Sequence, residues 1–301
     1  MSEKTAVIRI LERPEDFTAV EELQRIVWPG NETEVVPAHI LIAACHHGGL
    51  CIGAFDRQDG LIGFVFGLPG FYHTADGPRL MHYSHMLGIH PAHRDQGLGF
   101  ILKRAQWQMV RKQGVDRISW TYDPLLSRNA YLNIAKLGAV CHTYHQNYYG
   151  ELRDGLNAGV STDRFEVDWW VNSVRVNRRL SRQARRQLDL AHYLEAESEI
   201  INRSQLNDQG LVTPGEVHLA FPLEADSLES EQYPAILLVE IPSDYLDIKA
   251  RDQQLAQAWR YHARYIFTHL FRHGYYVTDF IYLKGRPSRS LYVLSHGEQT
   301  L

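Results

Sequence analysis

A short glycine-bearing segment, residues 94–99 with the sequence RDQGLG, lies between a predicted strand and a predicted helix. The strand, residues 80–89, ends at a His-Pro pair. The first N–H groups of a helix have no intrahelical acceptor and point the same way, and the helix dipole adds partial positive charge there. Gly97 and Gly99 have no side chain, so a phosphate can approach the backbone closely. The segment therefore predicts an anion site.

Two common nucleotide-binding motifs do not fit this segment. It lacks the G-x-G-x-x-G of a dinucleotide-binding fold and the Gly-Lys-Ser/Thr of a P-loop. The spacing Arg94-x-x-Gly97-x-Gly99, after a strand that ends in His-Pro, closely resembles the pyrophosphate loop of the GNAT acyl-CoA N-acyltransferases. In that family the loop amides hold the pyrophosphate of coenzyme A. The preceding strand, splayed from its neighbour by a bulge, pairs with the pantetheine arm.

A second stretch, residues 120–139, resembles the GNAT motif Asn-x-x-Ala-x-x-x-Tyr-x-Lys-x-Gly-Phe when it is anchored on Gly138. Ser127 then stands at the usual Asn, unless Asn129 replaces it, and Ile134 stands at the usual Tyr, which is often the general acid. The resemblance implies acetyl-CoA or another acyl-CoA as co-substrate. It implies cofactor contacts at Leu87, Ile89, Arg94, Asp95, Gln96, Gly97, Leu98, Gly99, Ser127 and Asn129.

Amide formation from a thioester needs a base for the amine, a donor for the oxyanion and a proton for the CoA thiolate. A backbone N–H of the bulged strand can supply the donor. His82, Ser84 and His85 lie on this strand, where residues alternate between faces unless a bulge changes the parity. We favour His85 as the base, with Ser84 as a further catalytic candidate, and Tyr131 could replace the missing acid. The resemblance implies direct attack in a ternary complex.

The first two helices would line the acceptor side of the cleft in a GNAT protein. Trp28, Glu32, Glu34 and His39 are therefore candidates for contacting an amine substrate. The alternative is that Trp28 anchors the core and that the acidic residues are solvated.

Composition sets the broad class. The chain has 301 residues, 45% of them hydrophobic, and a formal net charge of −4, which argues against a general nucleic-acid or anionic-membrane binder. Three cysteines without a C-x-x-C pair predict reduced thiols in a cytoplasmic protein. No apolar run has the length of a signal peptide or a membrane span. A homodimer is a further expectation.

Sixteen histidines raise the question of a metal site. The pairs His82/His85, His90/His93 and His142/His145 repeat at i, i+3, which splits a pair across the two faces of a strand. No carboxylate or cysteine stands at zinc-site spacing, so we expect no metal.

The fold class expected is α/β (α+β): a GNAT fold with a central mixed, mostly antiparallel sheet flanked by helices, plus a smaller C-terminal α/β region. The GNAT domain is placed at residues 1–171. The predicted loops include 69–78 and 150–163. Strands are predicted at 5–11, 50–55, 61–68, 80–89, 117–122, 139–144, 165–171, 236–241, 275–283 and 290–294, and helices at 12–27, 37–47, 127–136, 172–190, 252–273 and from Leu98 up to Gly114.

The remaining region, 172–301, is expected to be a degenerate GNAT-like half. Six arginines on the predicted helix 172–190 form either a phosphate or carboxylate docking face or a solvated one. Three functions stay open: an N-acyltransferase acting on a small amine such as an amino acid, with an acetyl or larger acyl donor such as succinyl-CoA; a CoA-binding module without catalysis; and a nucleic-acid or peptide-docking role for the arginine face.

Overall fold

The structure is a computed structural model that describes residues 6–30, 32–150, 159–181, 188–219 and 233–297. These residues form two compact units. The first contains residues 6–120 and Trp170–Asn172, and the second contains the other described residues. The predicted division after Val171 follows the family resemblance and stays a prediction.

The first unit contains five strands in the spatial order β1-β2-β3-β4-β5, antiparallel except for the parallel pair β4–β5. The chain crosses into the second unit within β5. The elements are β1 Val7–Ile10, α1 Pro14–Val27, α2 Ala38–His46, β2 Leu50–Phe55, β3 Leu61–Thr74, β4 Gly77–Ile89, α3 Leu98–Lys112 and β5 Arg117–Tyr122.

Helices cover both faces of this sheet because its strands are apolar on both sides. Phe64 and Phe66 of β3 pack in a buried cluster with residues of α1 and α2. Val65, between them in sequence, points the other way and packs in a cluster with Leu98 and Leu102 of α3. The predicted class, a mixed and mostly antiparallel sheet flanked by helices, is confirmed.

The predicted loop at 69–78 is wrong. β3 continues to Thr74 and β4 starts at Gly77, so the two strands form one long hairpin. Pro69 pairs with His82, beyond the last β2–β3 pair at Gly67. At Pro69 the strand has no β2 neighbour, so the missing N–H removes no bond on that side.

A carboxylate joins the start of α1 to β1. Arg9 donates two hydrogen bonds to the Asp16 carboxylate, at 2.7 and 2.8 Å, and Arg13 donates one at 3.2 Å. Asp16 is only 5% exposed. The hydrogen bonds from Arg9, more than any other cause, hold the pKa of Asp16 below its ordinary value.

We expect Asp16→Asn to lower the free energy of unfolding by about 1–2 kcal/mol at pH 7, since the ion pair is lost. A depressed pKa gives stability that is present above the unfolded-state pKa near 3.9 and is lost as pH falls through the folded-state value. The difference between the two proteins should therefore shrink below about pH 4. Urea unfolding at pH 7 and pH 3 measures it, and a constant difference would contradict the explanation.

Over the described residues of the second unit, the larger sheet has six strands in the order β7-β6-β12-β13-β11-β8, with β8–β11 as its parallel pair, and two short strands, β9 and β10, pair antiparallel in a separate sheet. Its first helix is α4, Ser127–Ala130, which continues as a π-helical turn over Tyr131–Lys136. The other elements are β6 Val140–His145, β7 Arg164–Trp170, α5 Val174–Leu180, α6 Leu190–Glu195, β8 Glu199–Ile200, β9 Gln205–Leu206, β10 Val212–Thr213, β11 Ile236–Ile241, α7 Tyr245–Arg251, α8 Gln253–Arg272, β12 Tyr275–Leu283 and β13 Arg289–His296.

Two hairpins of this unit share a pattern. A left-handed glycine, Gly138 or Gly274, follows the helix and precedes β6 or β12. In each hairpin a bulge begins three residues later, at Cys141 in β6 and at Val277 in β12. These two residues also pair with each other.

The predicted helix 172–190 is wrong as one element. α5 ends at Leu180, and Ser181 is extended. Arg175 donates to the carbonyls of Gly138 and Thr278, and Arg179 pairs with Asp279 at 2.6 Å. Arg182, Arg185 and Arg186 lie outside the described residues.

The three cysteines are free thiols. Cys51 and Cys141 are buried, and Cys45 is partly buried. Desolvation raises the pKa of Cys45 to about 11 and the pKa values of the other two well above the ordinary value. Over the residues that the structure describes, no helix combines the length and apolarity needed to cross a bilayer, and no group of three or more metal-ligating side chains occurs.

Candidate active site

The loop predicted to bind an anion joins β4 to α3. A short 3₁₀ turn spans Pro91–His93 after β4, and α3 begins at Leu98. Asp95 and Gly97 have φ angles of 65° and 77°. Left-handed residues in such a turn direct neighbouring N–H groups toward one side and form an anion-binding concavity. The backbone therefore has the form that an anion site requires, and residues 94–97 are exposed.

β4 and β5 separate several residues before β4 reaches this loop. They pair at only two positions of the described chain, His82 with Ile118 and Tyr83 with Ser119. Residues 84–89, which include the predicted contacts Leu87 and Ile89, continue without β5 as a partner. They leave an open strand edge, and a linear ligand can add its own hydrogen bonds to such an edge.

A β-bulge in β4 lies where the two strands separate. Met86 pairs with Phe66 and Tyr83 with Leu68, so Ser84 and His85 together oppose the single residue Gly67. An extra residue reverses the alternation of side chains along the strand. His82 and Ser84 face α3 and His85 faces the α1–α2 side, and because of the bulge the next residue, Met86, lies on the α1–α2 side as well, so that Leu87 returns to the α3 side.

His85 is an exposed histidine on that opposite face. Its ring centroid lies 6.3 Å from that of Phe66 and 6.1 Å from that of Tyr83. Partial desolvation by these neighbours lowers the pKa of His85 below its ordinary value of 6.5. The imidazole is therefore neutral at pH 7, the state in which it can accept a proton.

Ser84 belongs to a buried polar network beneath the bulge. Its hydroxyl donates to Oε1 of Gln106 at 2.9 Å and accepts from Nζ of Lys103 at 2.9 Å. Nε2 of Gln106 lies 3.1 Å from Nε2 of His82, to which it donates. Desolvation, aided by the charge of Lys103, lowers the pKa of His82 to about 3. With its Nε2 occupied, His82 is neutral and buried, and Ser84 is only 5% exposed.

Gly67 provides the space for this arrangement. A Cβ on Gly67 would lie 2.2 Å from Nε2 of His82 and 2.7 Å from the carbonyl oxygen of Tyr83. We expect Gly67→Ala to destabilise the protein by about 1–3 kcal/mol, because the clash is with backbone as well as side chain.

The matched control for this prediction is Gly77→Ala at the hairpin turn. Its Cβ meets nothing within 4 Å, although its φ of 110° adds strain. Thermal unfolding of both variants separates overpacking from strain, and an equal loss in both would contradict a steric role for Gly67.

Four residues were candidates for the acceptor side. Trp28 is partly buried against the α1–α2 cluster, with its ring edge-on to Phe64 at 6.1 Å. Glu32 forms an ion pair with Arg25 at 3.0 Å. Glu34 and His39 are exposed.

The connection between α1 and α2 is held by Gln24, a residue that was not among the candidates predicted from the sequence. The Gln24 amide donates to the carbonyl of Val36 at 3.0 Å and accepts from its N–H at 2.8 Å. Gln24 is only 2% exposed. By pairing with both backbone groups of Val36, as a neighbouring strand would, Gln24 fixes the end of the connection that precedes α2.

The remaining predicted residues belong to the second unit. Ser127 is buried, and its hydroxyl lies 2.8 Å from that of Ser290. Asn129 is partly buried, and Ile134, at the usual Tyr position, is fully buried. Tyr131 is partly exposed at the start of the π-helical turn, and Nζ of Lys136 lies 5.4 Å from its ring centroid.

Lys103 and Gln106 are the main site features that the sequence analysis missed. Leu98, Leu102, Gln106 and Val110 recur every fourth residue of α3, so a polar residue on the apolar stripe was an available signal.

Comparisons with known proteins add the following. No family model and no curated protein matches the chain. Matching solved structures include aminoglycoside 6'-acetyltransferase type Ii, with 18% identity, 55% of this chain and 97% of that chain covered, and a TM-score of 0.43. Another is the Escherichia coli GNAT family N-acetyltransferase YhbS in complex with CoA, with 21% identity, 43% and 69% covered, and a TM-score of 0.35. A third is Arabidopsis thaliana NAA60 in complex with acetyl-CoA, with 15% identity, 55% and 99% covered, and a TM-score of 0.44.

Proposed function

We propose that this protein is an acyl-CoA-dependent N-acyltransferase of the GNAT type. One observation carries the proposal: β4 bulges at Ser84 and His85, separates from β5 there, and leads directly into the left-handed loop at the start of α3. An open strand edge suits an extended amide-bearing arm, and the helix N-terminus suits a diphosphate. Coenzyme A has these two parts in this order.

The chemistry proposed is direct attack of a neutral amine on the thioester carbonyl. A C–N bond forms, the C–S bond breaks, and the CoA thiolate takes up a proton. His85, neutral at pH 7, accepts the proton from the amine, directly or through water. A backbone N–H of the bulged strand stabilises the oxyanion. Tyr131 remains the candidate acid, and Ser84 acts through the bulge because its hydroxyl is committed to the network.

The substrates proposed are an acetyl or larger acyl-CoA, such as succinyl-CoA, and a small amine such as an amino acid. His85 lies on the α1–α2 side of the sheet, which supports an acceptor that approaches from that side. The Gln24 clamp keeps the end of the α1–α2 connection fixed. A cytoplasmic location and the absence of nucleic-acid or membrane partners remain predictions from the sequence, and a homodimer remains an expectation.

The second candidate is a CoA-binding module without catalysis. It is favoured by Ile134, which stands where the family's general acid stands and is fully buried.

Two measurements test both candidates. Calorimetry with coenzyme A is expected to give heat and thermal protection, and acetyl-CoA mixed with a panel of amines is expected to release thiol. Binding without thiol release on any amine and acyl-CoA pair would favour the module. Failure to bind coenzyme A would overturn the transferase proposal altogether.

We further propose that the C-terminal half is a degenerate copy of the first. The matched hairpins support this, and so does the parallel pair β8–β11, which, like β4–β5, pairs at two positions in the part of the chain that the structure describes. Beyond the β8–β11 pairs, the side-chain amide of Asn202 accepts from the N–H of Glu240 at 2.8 Å and donates to its carbonyl at 2.9 Å. These two bonds fill the gap beside β11. We expect one coenzyme A per chain by calorimetry, and two equivalent sites would contradict the idea.

A further inference from the structure

A buried lysine lies under the point where β4 and β5 separate. Lys103 of α3 is 2% exposed, and its Nζ lies 2.9 Å from the Ser84 hydroxyl and 3.3 Å from Oε1 of Gln106. Its Nζ also lies 3.4 Å from the ring centroid of Trp120, on β5. One side chain therefore contacts, on each strand, the residue that directly follows the last β4–β5 pair.

Burying this amine is expensive, since an apolar side chain of the same length would fill the space without desolvating a polar group. Desolvation lowers the pKa of Lys103 well below its ordinary value. Lysine donates hydrogen bonds in either protonation state, so the contact with Ser84 persists as the charge changes. A side chain that is costly and specifically bonded to a bulge residue indicates a role at the bulge.

We propose that Lys103 is a positioning residue for the proposed acyl transfer. It ties Ser84 to α3, thereby fixes the bulge, and so sets the direction in which the next residue, His85, meets the substrate. The inference rests on the proposed function. It assigns no proton transfer to Lys103 itself.

The geometry of the network explains how the hydrogen bond from Lys103 to Ser84 restrains the bulge. Lys103 and Ser84 both donate to Oε1 of Gln106, which leaves the Gln106 amide nitrogen to donate to His82. All four side chains therefore have one consistent set of donors and acceptors. Without Lys103, Ser84 retains the bond to Gln106 but loses its second anchor, and the bulge gains freedom.

The test is Lys103→Met, which keeps the length of the side chain and removes the donor. We expect a folded protein with an unchanged or higher melting temperature and a Kd for coenzyme A within about threefold of wild type. The kcat should fall by about tenfold or more, with the KM for acyl-CoA unchanged, because small misplacement of a reacting group lowers the rate steeply. Lys103→Gln, which restores a donor, should recover part of the kcat.

The matched control is Lys112→Met at the exposed end of the same helix, which should behave as wild type. A wild-type kcat in Lys103→Met would overturn the proposal. So would parallel losses of kcat and coenzyme A binding, or a Lys103→Gln variant no better than Lys103→Met. An inactive wild-type protein would instead overturn the proposed function, so the two failures are distinguishable.

Discussion

Gly99→Asp is expected to weaken coenzyme A binding by about a hundredfold at low salt, because a carboxylate beside the loop repels the diphosphate. The same change should leave stability unchanged or raise it. Gly99 is in the first turn of α3, which has no acidic residue, and an acid there interacts favourably with the helix dipole. Loss of binding together with undiminished stability identifies an anion site at this helix terminus, and calorimetry with thermal unfolding measures both.

The matched control is Gly99→Asn, which has nearly the same shape and no charge. We expect its affinity to lie close to that of wild type, and raising the salt concentration should narrow the difference between the two variants. Equal affinities in the Asp and Asn variants at low salt would show that the diphosphate does not lie at this terminus.

His85→Gln is expected to lower the kcat by about 10²- to 10³-fold, the usual contribution of a positioned general base. Glutamine retains hydrogen-bonding capacity but cannot accept the proton. The Kd for coenzyme A should not change, since the loop at residues 94–99 is intact. Steady-state kinetics with the best amine of the panel, together with calorimetry, separates the two effects.

The pH dependence gives this prediction a second readout. A base must be deprotonated, so the rate should fall as pH drops through the pKa of His85, which lies below 6.5 because of desolvation. This acid limb should be absent in His85→Gln. His46→Gln, at an exposed position at the end of α2, is the control. An acid limb that persists in His85→Gln would assign the titration to another group.

Most elements of the first unit could be predicted because their signals are local. β2 and β5 match the predicted bounds, and α1 starts at a proline followed by acidic residues. The hairpin beyond Leu68 was missed because its prolines and glycines are typical of a loop. In the structure, this part of β3 is held as a strand by its pairing with β4 alone. Arginine spacing suggested a long helix after 172, but the chain ends α5 at Leu180.

The site could be predicted only in part. The loop at 94–99 is encoded by glycines and by its position between a strand and a helix, which are visible in sequence. The position of the bulge depends on the register between β3 and β4, and register is a tertiary property. The network of Lys103, Gln106 and His82 requires two elements to approach and desolvate polar groups together, which no local pattern specifies.

The state of the three cysteines has a practical consequence for assays. Thiols react as thiolates, and desolvation raises the pKa values of Cys45, Cys51 and Cys141; Cys51 and Cys141 are also buried, and Cys45 is partly buried. A chromogenic disulfide reagent added to the native protein should therefore give a slow, small background. Colour that develops during turnover would then report the sulfhydryl of released coenzyme A, so that continuous detection needs no cysteine-free variant.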